Sequence, residues 1–346
     1  MKRHESMRAL VIGSEGNIGK PLVSYLKSMG YAVLESDIRP RLRPGYVVAD
    51  ITHPLDLLPA FDWGPDVVFL LAAVVGRTTA EQAGSLAMAT NVAGINNVLQ
   101  LCKRAECMCV FISTSEIYGP ASESMDETAA VPQPANRYGL SKWLAEQMVD
   151  YEVRTSGLRA VTVRPCMVYD EMEDVGEHRS AMIRFASNLA HGRPIEVHRG
   201  SARSWLHVSD AVRAIEAAAR VESHTVINIG HPEVVPMIEL AENIRIELGA
   251  DTSLVSTVPP PRDVTLVKRP SLERQRSLLG FEPHMDLQEG VRRVCTVQRR
   301  LAASAARTSA ARKEPVSTPG IGELVDGARP VLASAEPRQQ KMGSAR

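Results

Sequence analysis

The sequence has no charge surplus of either sign: Lys and Arg together number 40, as do Asp and Glu. A nucleic-acid footprint spread over the whole surface is therefore excluded, although a local basic pocket for a phosphorylated ligand is not. Nor is there a CxxC pair. The five cysteines, Cys102, Cys107, Cys109, Cys166 and Cys295, suggest neither a disulfide framework nor a zinc site. The C-x-C at Cys107 and Cys109 reads as free thiols on or near a buried strand. His178, His191, His198 and His207 lack a shared ligand spacing on one helix, so no metal is expected. No apolar run approaches membrane-spanning length. The basic start, MKRHESMRALVIG, passes after a short apolar run into a Gly-rich turn. It reads as a first strand rather than a signal peptide, and a cytoplasmic location with no membrane partner is expected. No internal repeat is visible.

What is present is a core: 44% of 346 residues are hydrophobic, enough for one large domain or two smaller ones. Strand-like runs occur at Arg8–Ile12, Ala32–Ser36, Tyr46–Ala49, Asp66–Leu71, Cys109–Ile112 and Ala160–Val163. Helical patterns lie between them near Ile18–Met29, Glu81–Arg104 and Tyr138–Ser156. Continuous apolar strands alternating with helices predict an α/β fold, a doubly wound parallel sheet covered on both faces. Ligands then bind at the carboxyl ends of its strands. After Tyr169 the pattern loosens. An acidic loop at Asp170–Glu177 precedes helices near Ala181–Ala190, Ser209–Arg220, Met237–Leu248, Leu272–Leu279 and Leu287–Arg300. Short strands fall at Ile195–Val197 and before Gly230. The expected division is a dinucleotide-binding domain over 1–169, with some later segments returning to it, and a mainly substrate-binding smaller lobe over 170–301. A disordered tail, rich in Ala, Ser, Arg, Pro and Gly, is expected over 302–346.

The segment Gly13-Ser14-Glu15-Gly16-Asn17-Ile18-Gly19 follows the first strand and opens a helix. In a G-x-x-G-x-x-G turn the first glycine allows the tight bend, the second a close approach to pyrophosphate, and the third close helix packing. The helix N-terminus adds free N–H groups and a positive dipole end. Asp37 closes the second strand, where a carboxylate can accept hydrogen bonds from the adenosine ribose. It favours NAD, because the 2′-phosphate of NADP would be repelled; Arg39 and Arg41 close behind weaken that preference. Asp50 and Ile51, ending the third strand, could reach the adenine, although a plain loop Asp fits equally well.

Tyr138 and Lys142 stand four residues apart, on one face of a helix. An ammonium beside a phenol favours phenolate, so Lys142 is expected to lower the pKa of Tyr138. Such a tyrosine can take a proton from a sugar hydroxyl as hydride leaves its carbon. A surface pair is the alternative. Against it stands the Ser113-Thr114-Ser115-Glu116-Ile117-Tyr118-Gly119 cluster at the end of the fifth strand.

The glycine turn, that cluster, Tyr138/Lys142, Arg164-Pro165 and Arg203-Ser-Trp-Leu-His-Val-Ser-Asp210 together resemble the ordered landmarks of NAD-dependent nucleotide-sugar epimerases and dehydratases. These are the extended short-chain dehydrogenases, with a Rossmann-type sheet and a smaller C-terminal lobe. The resemblance runs from about Arg8 to Arg300 and includes Asn91 in TNVAG and the Lys268–Pro283 segment. It implies that Thr114 hydrogen-bonds the oxidised sugar oxygen alongside Tyr138, and that Lys142 orients cofactor and tyrosine. Pro165 would lie near the nicotinamide, and Asn91 would brace the active-site helices at the cofactor. Gly13, Gly16, Asn17, Ile18, Gly19, Leu71, Ala72 and Ala73 would line the cofactor. Arg203 would pair with a substrate phosphate, with Ser115, Glu116 and Met167 also facing substrate. A homodimer through the flanking helices is implied as well.

The Thr-Ser-Glu triplet resembles dehydratases and uronate decarboxylases of that family more than simple 4-epimerases. Once C4 is a ketone the C5 proton is acidic, and a carboxylate such as Glu116 can remove it. Alternatively Glu116 caps or salt-bridges a loop. Two departures stand out. Met167 occupies a position where relatives commonly carry Asn, and it cannot donate a hydrogen bond. Leu70-Leu71-Ala72-Ala73 replaces a motif that often begins with His. The leading expectation is a nucleotide-sugar enzyme that oxidises C4 and then dehydrates, decarboxylates or epimerises. The others are an NAD-dependent dehydrogenase or ketoreductase on another small polar substrate, and a non-catalytic dinucleotide sensor.

Overall fold

Seven short apolar runs pair into one wholly parallel sheet. They are β1 (Arg8–Ile12), β2 (Ala32–Asp37), β3 (Tyr46–Val48), β4 (Val67–Leu70), β5 (Met108–Ile112), β6 (Ala160–Pro165) and β7 (Val226–Ile229). Their order is β7-β6-β5-β4-β1-β2-β3. The computed structural model describes residues 6–120, 125–173, 180–261 and 264–313. β4 and β5 are buried at every position, as their unbroken apolar sequence requires of central strands covered on both faces. One face packs Leu22, Leu26, Ala211 and Ile215 over the sheet, the other Leu57, Val98, Leu99 and Val149. The strand order reverses between β1 and β4, which places a ligand crevice at their carboxyl ends.

A separate cluster built from Met182, Phe185, Leu240, Ile244, Val291 and Cys295 forms the core of the smaller lobe. The described residues up to Ala305 nevertheless make one compact unit. The helix from Leu287 continues past Arg300 to Lys313. The expected tail beyond Lys313, the loop residues 174–177 and His178 lie outside the described residues. Among the described residues no helix is long and apolar enough to cross a membrane.

The pattern over Glu81–Arg104 is not one helix. It breaks into Arg77–Gln82, Gly84–Met88, a π-helical turn at Ala89–Gly94 and Ile95–Arg104. The break follows Ala83, whose φ of −120° and ψ of 52° leave the helical region. The helix Pro54–Asp62 was not anticipated; Pro59 inside it masks a segment whose first turn also carries Pro54. Apart from the expected strand at Ile195, short strands in the smaller lobe escaped the sequence as well, because two to four residues are too few to display a period.

Candidate active site

The glycine turn touches the end of β4. A Cβ on Gly13, whose φ is +93°, would stand 2.6 Å from the backbone nitrogen of Ala72, so only glycine fits. Leu71 and Ala72 both donate backbone N–H to the Ile12 carbonyl, at 2.8 and 2.9 Å, which fixes that wall of the crevice. Asp37 accepts from the backbone N–H of Glu15 at 2.9 Å and from that of Arg39 at 3.0 Å, so it ties the turn to the end of β2. Gly16, Asn17, Ile18 and Gly19 carry the chain into the helix Gly19–Ser28.

Asp50 is engaged locally: one oxygen accepts from both the N–H and hydroxyl of Thr52, at 2.9 and 2.8 Å. Ile51 is buried in the core and sits against Gly94. Asn91 links three segments. Its side chain accepts from the Val74 N–H at 2.7 Å, and donates to the Val74 carbonyl at 3.0 Å and the Ser141 hydroxyl at 2.9 Å. It thereby joins the loop after Ala73 to the helix carrying Tyr138.

A dinucleotide suits this crevice. Buried hydroxyls ordinarily find partners. Yet Ser14 in the glycine turn, Ser36 on β2 and Ser113 at the end of β5 have none among the described residues. Polar ligand atoms would satisfy them.

The turn Ser115–Tyr118 begins with Thr114, whose hydroxyl accepts from the Glu116 N–H at 3.2 Å. The helix Arg137–Ser156 starts against that turn. Its cap, Asn136, accepts from the Gly139 N–H at 2.8 Å and donates to the Glu116 carboxylate at 2.9 Å. A Cβ on Gly139 would stand 2.8 Å from the Glu116 carbonyl, so a larger residue would push the helix away. Tyr138 and Thr114 are brought to hydrogen-bonding distance. Burial pushes the Tyr138 phenol up to about 12, the Thr114 hydrogen bond acts in the opposite sense, and the Glu116 charge adds to the rise. Lys142 departs from its expected role as the neighbour that tunes Tyr138. Its ammonium donates to the Ile112 carbonyl at 2.7 Å and stands 4.8 Å above the Phe111 ring, because a buried amine needs local partners. Burial lowers its pKa to about 7 against the opposing charge of Glu146.

Glu116 is held on two sides: Asn136 takes one oxygen and Lys268 forms an ion pair with the other. Lys268 comes first among the causes that bring its carboxyl down to about 2, against burial and with help from Asn136 and Arg203. The strand Val267–Lys268 pairs in parallel with Ala202–Ser204 and sets Lys268 beside Arg203. Arg203 is anchored by donating to the Ala202 carbonyl at 2.9 Å and to the Leu266 carbonyl. Lys268 was missed as a site residue. The only signal was its place at the head of the Lys268–Pro283 segment.

Pro165 ends β6 beside Ile229. Two residues on, Met167 has φ of +45°, in the left-handed region that Asn tolerates and most side chains avoid. Its sulfur lies 3.8 Å from the Lys268 ammonium. Ser115 is buried and hydrogen-bonds Cys166. Beneath the site, Arg164 pairs with Glu146 through two bonds of 2.9 and 2.6 Å and donates to the Tyr118 hydroxyl at 2.8 Å. Tyr118 in turn donates to Asn228 on β7 at 2.9 Å. His207 is structural in placement, bonded to Glu171 and Ser209 at 2.8 and 2.7 Å.

The chain is similar to characterised proteins along most of its length. UDP-glucuronic acid decarboxylase 6 of Arabidopsis thaliana is 26% identical over 309 residues, covering 83% of this chain and 87% of that protein. UDP-N-acetyl-alpha-D-glucosaminuronate decarboxylase of Bacillus cytotoxicus is 27% identical over 311 residues, covering 82% and 95%. The crystal structure of a dTDP-glucose 4,6-dehydratase from Streptomyces venezuelae, with NAD bound, superposes with a TM-score of 0.74 at 26% identity, covering 86% and 98%. The sequence model of the NAD dependent epimerase/dehydratase family matches residues 9–230, from β1 to just past β7. That span holds the glycine turn, Thr114, Glu116, Tyr138, Lys142 and Arg203, and the chain is an NAD-dependent enzyme of the epimerase/dehydratase family.

Proposed function

We propose that the enzyme acts on a nucleotide-activated sugar carrying a carboxylate at C6, oxidises it at C4 and releases carbon dioxide. The observation behind this reading is the Lys268–Glu116 ion pair, which holds that carboxyl near 2 and leaves it a poor base for elimination. The relatives named as uronate decarboxylases support the same chemistry.

Tyr138 takes the proton of the C4 hydroxyl, and Thr114 hydrogen-bonds the oxygen as it becomes a ketone. NAD supplies the hydride acceptor and returns the hydride afterwards. A C4 ketone makes the C6 acid a β-keto acid. The C5–C6 bond breaks, its electron pair passes into the ketone as an enolate, and C5 then takes a proton from water, while the proton on Tyr138 goes back to the C4 oxygen as the hydride returns. Arg203 pairs with the nucleotide diphosphate, and Ser115 and Met167 border the sugar. Gly13, Gly16, Asn17, Ile18, Gly19, Leu71, Ala72 and Ala73 hold the dinucleotide, with Asp37 at its ribose and Pro165 near its nicotinamide.

Elimination driven by Glu116 is the second reading, supported by the similarity to a 4,6-dehydratase. A carboxyl held near 2 is a weak base, whereas proton abstraction is best served by a pKa near the working pH. Decarboxylation needs no such base, so it is preferred. Mass spectrometry of UDP-glucuronate and UDP-glucose turned over by the purified protein tests this. Loss of carbon dioxide from the uronate is the expected result, and loss of water from the neutral sugar with no change in the uronate would overturn it. In the second reading Glu116→Gln should leave NAD bound and halt the reaction after oxidation; unchanged turnover would sink elimination driven by Glu116.

The assembly proposed is a homodimer. Val92, Asn96, Leu144, Met148 and Tyr151 line a mostly apolar groove on the two helices flanking the site, with Tyr151 56% exposed. A second copy of the same face would cover it; a monomer by light scattering would remove the idea.

A further inference from the structure

Three arginines follow Asp37 in the sequence, and the reading of an NAD site leaves them without a purpose. The structure gives two of them one partner. Arg41 and Arg43 both bind the carboxylate of Glu15, at 2.9 and 2.8 Å. Arg39 donates to the Glu15 carbonyl at 2.9 Å. Lys20 is 3.7 Å from the same carboxylate. Glu15 is a variable position of the glycine turn, and its own N–H is the donor that meets Asp37. The Glu15 side chain is 2% exposed, whereas those of Arg41 and Arg43 are 44% and 41% exposed. The carboxylate is therefore the buried anion, and the guanidiniums fold over it from solvent. Glu35 also binds Arg43, and the Tyr46 ring lies 4.8 Å below the same guanidinium.

We propose that Glu15 sets the cofactor preference at the adenosine ribose, by holding Arg41 and Arg43 on its carboxylate and so withholding them from a 2′-phosphate. The proposal rests on the NAD reading and goes beyond it. An aspartate at the end of the second strand repels the 2′-phosphate, and an arginine nearby can compensate. Here the arginines are present, and their forks suit phosphate oxygens. Their charge is spent on Glu15, which occupies the place that an anionic phosphate would compete for. A 2′-phosphate would meet Asp37, Glu15 and Glu35 with no free guanidinium. Without Glu15, Arg41 keeps only the Pro40 carbonyl, and Arg43 keeps Glu35 and the Tyr46 ring.

Isothermal titration of NAD and NADP into the wild type, Glu15→Gln, and Glu15→Gln combined with Arg41→Ala and Arg43→Ala tests this. The wild type binds NAD more tightly than NADP. In Glu15→Gln the preference moves toward NADP by roughly tenfold or more, a change well resolved by binding isotherms, while the triple variant returns toward the wild-type ratio. An unchanged ratio in Glu15→Gln that still binds NAD overturns the proposal. So does a gain that survives removal of both arginines. Should Glu15→Gln fail to fold, Arg41→Ala with Arg43→Ala in the wild-type background decides. Unchanged NADP affinity supports the proposal, and a tenfold loss shows the arginines already available and overturns it. A wild type that binds neither dinucleotide would sink the NAD reading as well.

Discussion

Lys268 closes an ion pair on Glu116 across 152 residues of sequence, and the pair forms because one short strand sets Lys268 beside Arg203. Replacing Lys268 with Met removes the largest cause of the low Glu116 pKa and leaves burial unopposed by it. The Glu116 carboxyl then titrates at higher pH. In the wild type the carboxyl is held near 2 against an ordinary 4.5. The stability it contributes is present above 4.5 and disappears as pH falls toward 2. In the variant that contribution shrinks, because the folded value moves back toward 4.5. Stability at neutral pH should drop by about 1–2 kcal/mol, a charged hydrogen bond's worth at a partly exposed site, measured by urea titration.

Thr114→Val deletes the one hydrogen bond that favours Tyr138 phenolate. The phenol then rises further, and the ascending limb of the kcat profile moves to higher pH. Tyr138→Phe goes beyond this and should lower the oxidation rate by roughly 10²–10⁴, the usual span for losing a positioned proton acceptor. Single-turnover NADH absorbance measures both.

Lys142→Met should stabilise the fold at pH 6–7. Burial holds Lys142 near 7 against an ordinary 10.5. The unfolded chain therefore binds a proton that the folded chain gives up between those values. Wild-type stability from this group rises with pH across 7 to 10.5. Replacing it gains about 1–2 kcal/mol near neutrality and flattens that rise, within the range common when a functional site is neutralised. Melting temperatures at pH 6.5 and 9.5 compare the two directly.

Met167→Asn should relieve the strain of φ +45° and raise stability by about 0.5–1 kcal/mol. It also replaces the sulfur beside Lys268 with an amide. KM for the nucleotide sugar should change more than kcat, which steady-state kinetics would separate.

The sheet was legible because β4 and β5 are unbroken apolar runs and the glycine turn fixes where β1 ends. Tyr138, Thr114 and Glu116 were legible because they sit within 25 residues of chain, around one strand end and one helix start. Lys268 was not. Its strand has two residues, and its pairing with Arg203 is a long-range register that no local period encodes. The alternative reading of Glu116 as an ion-paired loop residue describes its contacts, yet the pair itself stands within the site. The expected coupling of Lys142 to Tyr138 rested on helical spacing alone. Spacing places two side chains on one face, but the nearest carbonyl decides where an amine points, and Ile112 provides it.

The register that aligns Lys268 with Arg203 also ties competence to completeness. A polypeptide cut short before Val267 would still contain every residue assigned to gripping the dinucleotide and removing the first proton. It would lack the cation that balances Glu116, and the strand holding Arg203 would lose a neighbour. Premature termination would thus yield a chain unable to finish what it could begin, and a single misplaced residue in that two-residue pairing would have the same effect.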